Sequence, residues 1–368
     1  NIKLDDVTGK AGKVLSVVAN ETCLEWITVS QAQAAATGSY TASGSGATSR
    51  TVSSKLADWP RVSVKDYGAL GNDNADDRAA IALAVDALPT GGGTLYFACG
   101  TYRTSSTSAL VSITDKNGVQ IVGEGETNTI LKQEGEGRGL ELLGTSEITN
   151  IHVAGLQIRS TATTGTGCGI YTTRLKDSVI ERFSISGFIC GALVVDGTQN
   201  LNNTIRDGRV TSPSNVLSRH ARGIWIPLGN SNRVERVYFN IGGNDASHYR
   251  YGLDGCGTAS LVSYKNIFDG VTTAIKSNGV TTSIGDYFDL TSSAPTAITT
   301  AFEHVNNNSL TIISPHGLTC VTTQCDFAGI DQNNISILGL PLTYSCVAGQ
   351  AISSNGANYV TTAPASTV

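Results

Sequence analysis

The chain has 368 residues and a formal net charge of −5, with only 15% charged residues against roughly a quarter in ordinary globular proteins, and it holds 41 glycines. This balance offers no basic stripe for nucleic acid, and no run of about 18 apolar residues is present to cross a bilayer, so nucleic-acid binding and membrane insertion are excluded as its business. Abundant Gly, Ser, Thr and Asn suit short strands and tight turns rather than helices.

The sequence contains no Met, so residue 1 is expected to be a processed or truncated start, and no charged-then-apolar leader is visible at Asn1-Ile2-Lys3-Leu4. Residues 1–30 carry Thr8-Gly9-Lys10-Ala11-Gly12-Lys13-Val14-Leu15-Ser16-Val17 and then Leu24-Glu25-Trp26. Residues 31–60, rich in Ala, Ser, Thr and Gly, read as a linker or thin neck. Next come Val62-Ser63-Val64-Lys65-Asp66-Tyr67-Gly68-Ala69, then Asp76-Asp77 and Ala79-Ala80-Ile81. Asp76 or Asp77 can cap a helix whose apolar face is Ile81, Ala84, Val85 and Leu88, closing one end of a solenoid. Pro89 and Gly91-Gly92-Gly93 end that helix and turn the chain into a strand over Thr94–Phe97.

The order of these motifs, with Gly100-Thr101-Tyr102, Val119-Gln120-Ile121-Val122-Gly123-Glu124-Gly125 and Thr129-Ile130-Leu131 after them, closely resembles the opening of pectate-lyase-like β-helix domains on bacteriophage tail spikes. Asn72-Asp73 and Ala98-Cys99 depart from the usual Asp-Gly and prolines. The N-terminal segment resembles a short module of phage tail fibres. Together the resemblances imply an all-β, right-handed parallel β-helix with a short capping helix, an N-terminal segment attaching to phage tail or baseplate proteins, a homotrimer, and a place in the virion after assembly in the host cytoplasm.

The middle of the chain supports a solenoid without that resemblance. Three positions spaced i, i+3, i+5 recur as Val153, Leu156, Ile158; Ile180, Phe183, Ile185; Ile205, Gly208, Val210; and Val234, Val237, Phe239, then weaken to Ser263, Asn266, Phe268 and Gly285, Phe288, Leu290. Small-then-apolar doublets recur in phase: Gly169-Ile170, Gly191-Ala192, Gly223-Ile224, Gly252-Leu253, Ala274-Ile275 and Ala297-Ile298. Periods of 22 to 32 residues are too short for βαβ units, so each coil is expected to be strand, turn, strand, turn, stacked about 4.8 Å from the next. A polar column, Arg159, Ser186, Thr211, Asn240, Asp269, Thr291, follows the first signature.

Insertions confined to one face of a solenoid mark its binding face. The connection from the first signature to the second is 13 residues after both Val210 and Phe239 and 11 after Ile158, against 6 or 7 after Ile185, Phe268 and Leu290. Those two loops bring together Arg219, His220, Arg222, Asn244, Asp245, His248, Tyr249, Arg250 and Tyr251. Beside them, the residues after each doublet, Tyr171, Leu193, Trp225, Asp254, Lys276 and Thr299, are expected to face outward by strand alternation. Aromatic faces stack on pyranose rings, and carboxylates and cations hold hydroxyls and acidic groups. For hydrolysis, Asp254 and Asp245 form the first candidate carboxyl pair, with Glu235 in reserve. A lyase would instead use His220 or His248 with Arg222 or Arg250. The column Glu181, Arg206, Glu235 alternates in sign and also reads as a plain charge ladder.

The expected function is therefore a tail spike that binds a bacterial surface polysaccharide, capsule or lipopolysaccharide, with depolymerisation an open question. The alternatives are a non-catalytic structural or adhesive tail protein and a free secreted lyase or hydrolase. No cofactor and no metal are expected, because the eight cysteines lack the paired spacing of a zinc site. Most are expected as free buried thiols, with Cys320, Cys325 and Cys346 the candidate exception. The β-helix is assigned to residues 61–313, and residues 314–368 to a cap or trimerisation segment.

Overall fold

A computed structural model divides the chain into two units, Asn1–Pro60 and Arg61–Val368. It describes residues 13–17, 24–28, 39–41, 43, 45–51, 61–197, 200–212, 222–241, 250–255, 260–277, 279–289, 300–304, 310–313, 315, 323–326 and 335–338. In the first unit, Lys13–Val17 pairs antiparallel with Leu24–Thr28, and Ser39–Tyr40 with Arg50–Thr51, the second pair falling inside the stretch expected as a neck.

The second unit is a parallel β-solenoid. Helix α1 (Arg78–Asp86) turns Ile81, Ala84 and Val85 into the same core as Leu95 and Val111, and so covers the end of the stack. The two aspartates before it divide the work. Asp76 accepts the Arg78 N–H at 3.0 Å, the capping bond, whereas Asp77 is 1% exposed and accepts the Leu70 N–H at 2.6 Å. Both carboxylates are thus engaged in holding backbone.

Most coils have three strands, here called a, b and c, rather than the two expected, although a and b run on as one strand in His152–Ser160 and in Val179–Ser186. One coil runs Asn232–Glu235 (a), Tyr238–Asn240 (b) and Tyr251–Gly255 (c). One left-handed residue stands where a passes into b, and these recur coil by coil as Gly155, Arg182, Asp207, Arg236, Lys265 and Gly285, with φ between 49° and 70°. That residue explains the i, i+3, i+5 spacing. Plain alternation would put i and i+3 on opposite faces, but the left-handed step reverses the side-chain direction once. Four of these positions hold charged residues where glycine would be unstrained. Lys265, exposed at φ 51°, donates its own N–H to Ile284 O, a bond that any residue keeps. Lys265→Gly should therefore raise stability by about 1 kcal/mol and Lys265→Val should lower it, read as denaturant midpoints. Equal midpoints for the two would contradict the left-handed step.

In-register stacking fixes the core. Val234 lies between Ile205 and Ser263, Phe239 between Val210 and Phe268, and Leu253 between Ile224 and Ile275. Phe239, Phe268 and Phe288 stack with centroids 4.7 and 5.6 Å apart, and Phe302 meets Phe288 edge-on at 5.3 Å. The small residue of each doublet sits where strand c bends against this column. A Cβ on Gly169 would lie 2.3 Å from Ile185, and one on Gly223 would lie 3.0 Å from Phe239. Gly208 likewise leaves the room that the Phe183 ring fills, 2.2 Å from where its Cβ would stand.

Two coils are registered differently from the sequence expectation. Phe288 pairs with Phe268 and Ser283 with Ser263, so the last copy of the first signature is Ser283, Asp286, Phe288 and the polar column continues to Asp289, not Thr291. Polar residues at two buried positions hid this register. Leu193 pairs with Ile170 and Ile224, and Phe302 with Ile275, so the doublets are Ala192-Leu193 and Ala301-Phe302. The connection after Phe288 is then 13 residues, a third long corner.

The buried polar positions form their own ladder. Asn266 Oδ1 accepts the Val237 N–H at 2.9 Å, and Asp286 Oδ1 accepts the Asn266 N–H at 2.8 Å. Strands continue past Ile313: Thr323–Asp326 pairs in parallel with Thr300–His304, and Ile335–Leu338 with Leu310–Ile313. Among the described cysteines, all free, Cys168 is buried as expected, its thiol pushed up to about 12 by that burial, but Cys99 and Cys190 are exposed.

Candidate functional site

Strand c carries the outward row. In-register pairing sets Ser112, Glu141, Tyr171, Val194, Trp225, Asp254, Lys276 and Glu303 side by side, one coil apart. Tyr171, Trp225, Asp254 and Lys276 hold the places expected of them. Leu193 does not: it is wholly buried, and Val194 takes the row position. Glu303, not Thr299, is the neighbour of Lys276.

Cations lie over the aromatic rings along this row. The Arg138 guanidinium is 3.6 Å from the Tyr171 ring centre and pairs with Glu141 at 3.0 Å. The Arg222 guanidinium is 4.4 Å from the Trp225 ring and 5.7 Å from the Tyr251 ring, while its Nε donates to Asp254 Oδ2. Lys276 Nζ lies 4.6 Å from the Tyr251 ring, donates to the Tyr251 hydroxyl at 3.3 Å, and pairs with Glu303 at 3.3 Å. The Arg250 guanidinium lies 5.2 Å from the same Tyr251 ring. The rings are thereby oriented and the cations immobilised.

Two groups respond electrostatically. Burial, then the hydrogen bond its hydroxyl donates to Asp196 at 2.9 Å, push Tyr171 up to about 12. Against the desolvation that would lower it, Glu303 and the Tyr251 hydroxyl hold Lys276 above its ordinary range. Tyr171 is thus a neutral donor and Lys276 a cation at neutral pH.

The candidate carboxyls do not converge among the described residues. Asp254 is 0% exposed and bound to Arg222. Glu235 lies on strand a, in the other large sheet, where Arg233 and Arg236 hold it, the latter at 3.0 Å. It belongs to the charge ladder: Arg206 reaches Glu181 at 2.6 Å and His152 reaches it at 3.2 Å, and against burial these two hold the Glu181 carboxyl below the usual range. Asp245, His220, His248 and Tyr249 lie outside the described residues.

Sequence reasoning missed Arg138, Glu141, Asp196 and Glu303, and it named Tyr251 only as part of a loop. Extending the doublets upstream to Gly139-Leu140 puts Glu141 in the row. Glu303 was lost to the register slip between Ala297-Ile298 and Ala301-Phe302. Among the described residues, no group of three His, Cys, Asp or Glu side chains is placed to hold a metal ion.

Known proteins bear on the fold. The tailspike of E. coli bacteriophage HK620, solved in complex with a pentasaccharide, superposes with a TM-score of 0.57 at 14% identity, over 84% of this chain and 62% of that one. PfbA, a surface adhesin of Streptococcus pneumoniae, gives 0.53 at 12% identity over 75% and 77%. ORF18 of Geobacillus virus E2 gives 0.50 at 15% identity over 88% and 69%. In sequence, mannuronan C5-epimerase AlgE3 of Azotobacter vinelandii is 46% identical over 72 residues, 19% of this chain and only 4% of the epimerase. Alginate lyase 7 of the same organism is 44% identical over 75 residues, 8% of its length. The profile of one family spans residues 61–287, well over half of the chain. With its motifs, its parallel coils and this match in agreement, the protein belongs to the rhamnogalacturonase A/epimerase, pectate lyase-like family.

Proposed function

We propose that this chain is a phage tail spike that binds a bacterial surface polysaccharide along the outward face of strands c. The observation that carries the reading is the row in which Tyr171 and Trp225, both partly exposed, each lie against a cation that is itself paired with a carboxylate. Ring faces stack on the flat faces of pyranoses, and charged groups beside them bind sugar hydroxyls. The tailspike and adhesin folds among its neighbours support the same reading by analogy. On it, the spike is a homotrimer in the virion, joined to tail or baseplate proteins through residues 1–30.

Binding without cleavage is the reading favoured by the described carboxyls. Asp254 is sealed and neutralised by Arg222, which suits a residue that positions Arg222 over Trp225 better than one that meets water or a leaving group. Trp225→Ala is expected to weaken binding to the recognised polysaccharide by about 2 kcal/mol, roughly 30-fold. Titration of wild type and variant by calorimetry reads this, and unchanged affinity would remove the row from the binding face. Reducing-end assays on the same glycan should show no release. Release that is lost in Asp245→Asn and leaves no unsaturated sugar in the product would instead establish a hydrolase. Immunolabelled virions and the sedimentation mass of the full chain test the spike and the trimer.

A further inference from the structure

The proposed polysaccharide face carries no surplus of cations, and this limits which glycans it can take. Three cation–carboxylate pairs run along it: Arg138 with Glu141, Arg222 with Asp254 and Lys276 with Glu303. Of the remaining charges, Arg250 near Tyr251 and Asp196 bonded to the Tyr171 hydroxyl cancel, and Asp326, in register with Glu303, adds one more carboxylate, so the cations are not in excess. The two flanking loops cancel as well, since residues 213–221 contribute Arg219 and residues 242–249 contribute Asp245, with His counted neutral. A chain of uronate or sialate units brings repeated negative charge, and a face built to hold it carries a surplus of cations that raises its potential. Here each cation within the row already has a carboxylate at contact distance. Neutral hydroxyls make a weaker demand, which does not require breaking an ion pair.

Resting on the polysaccharide-binding reading, we infer that the recognised glycan is uncharged, built of neutral sugars whose ring faces stack on the partly exposed Tyr171 and Trp225. The nearby sequence relatives named for mannuronan and alginate would then differ from this chain in the charge of what they hold.

The test is biolayer interferometry of the full chain against purified bacterial O-polysaccharides and capsules, sorted into uncharged and uronate- or sialate-bearing sets, with alginate as a polyanion, at 50 and 500 mM NaCl. The expected binders are uncharged, and their affinities change less than about twofold with salt because there is little charge to screen. Strongest binding to an anionic glycan, with about a tenfold loss at high salt, would overturn the inference and leave the binding reading intact. Silence across both sets would overturn the binding reading itself, and this inference with it. Glu303→Gln, at a partly exposed position, releases Lys276 from its pair and is expected to raise alginate binding at least about fivefold over wild type. No gain would count against charge balance as the cause of selectivity.

Discussion

Gly252→Val should destabilise the solenoid by about 3 kcal/mol or more, the cost of forcing a side chain into a filled corner. The position has no room in either direction. A Cβ there would stand 2.8 Å from Ala274 O in the next coil and 2.8 Å from the Phe268 ring. Phe268 cannot turn away, because it is clamped between Phe239 at 4.7 Å and Phe288 at 5.6 Å. The strain would spread into Leu253 and Asp254 on the same strand, so the variant should lose glycan binding along with stability. Gly91→Ala is the control, since nothing lies within 4 Å of the added atom. A denaturant titration of both variants decides the matter, and equal midpoints would mean that the corner is not packed as described.

Asp286→Asn should stabilise the protein at neutral pH by up to about 3 kcal/mol, and the gain should vanish in acid. Asp286 is wholly buried inside the coils, and burial raises its pKa from 3.8 to about 6, against hydrogen bonds from Ser283, Ser263 and Asn266 that favour the anion. No cation is among these partners. Because the folded pKa is the higher one, the folded state holds its proton between pH 3.8 and about 6 while the unfolded chain has lost it. Stability from this group is fully present below 3.8 and falls by about 1.4 kcal/mol per pH unit until about 6, then stays level. An asparagine keeps an acceptor for the Asn266 N–H and offers Ser283 a donor, with no charge to bury. Melting curves from pH 3.5 to 8 should therefore converge at the acid end and separate above pH 6. Parallel curves across the range would show that Asp286 does not titrate in the fold.

Asp286 also shows how the sequence could mislead. A search for apolar residues at i, i+3 and i+5 passes over Ser283 and Asp286, although both are fully buried, and settles two residues later on Leu290. The slip is invisible in one dimension, because a buried polar residue with its hydrogen bonds met inside looks the same on paper as an exposed one. Stacking is what reveals it: Phe288 must lie under Phe268. The same holds for Ala192-Leu193, where two small residues in succession left the doublet ambiguous by one position and sent Leu193 to the wrong face.

What the sequence determined by itself was the stack. Recurring apolar positions and small residues at a period of 22 to 32 require strands that bury one face coil upon coil, and the outward places of Tyr171, Trp225, Asp254 and Lys276 follow from alternation. The tertiary structure alone decided that a left-handed residue stands within the first signature, that Glu235 and Asp254 belong to different sheets, and that Asp254 is sealed beneath Arg222. The reason is physical. Periodicity reports which side of a strand a residue takes, whereas burial and ion pairing depend on neighbours a whole coil away in sequence, as Arg222 and Asp254 are.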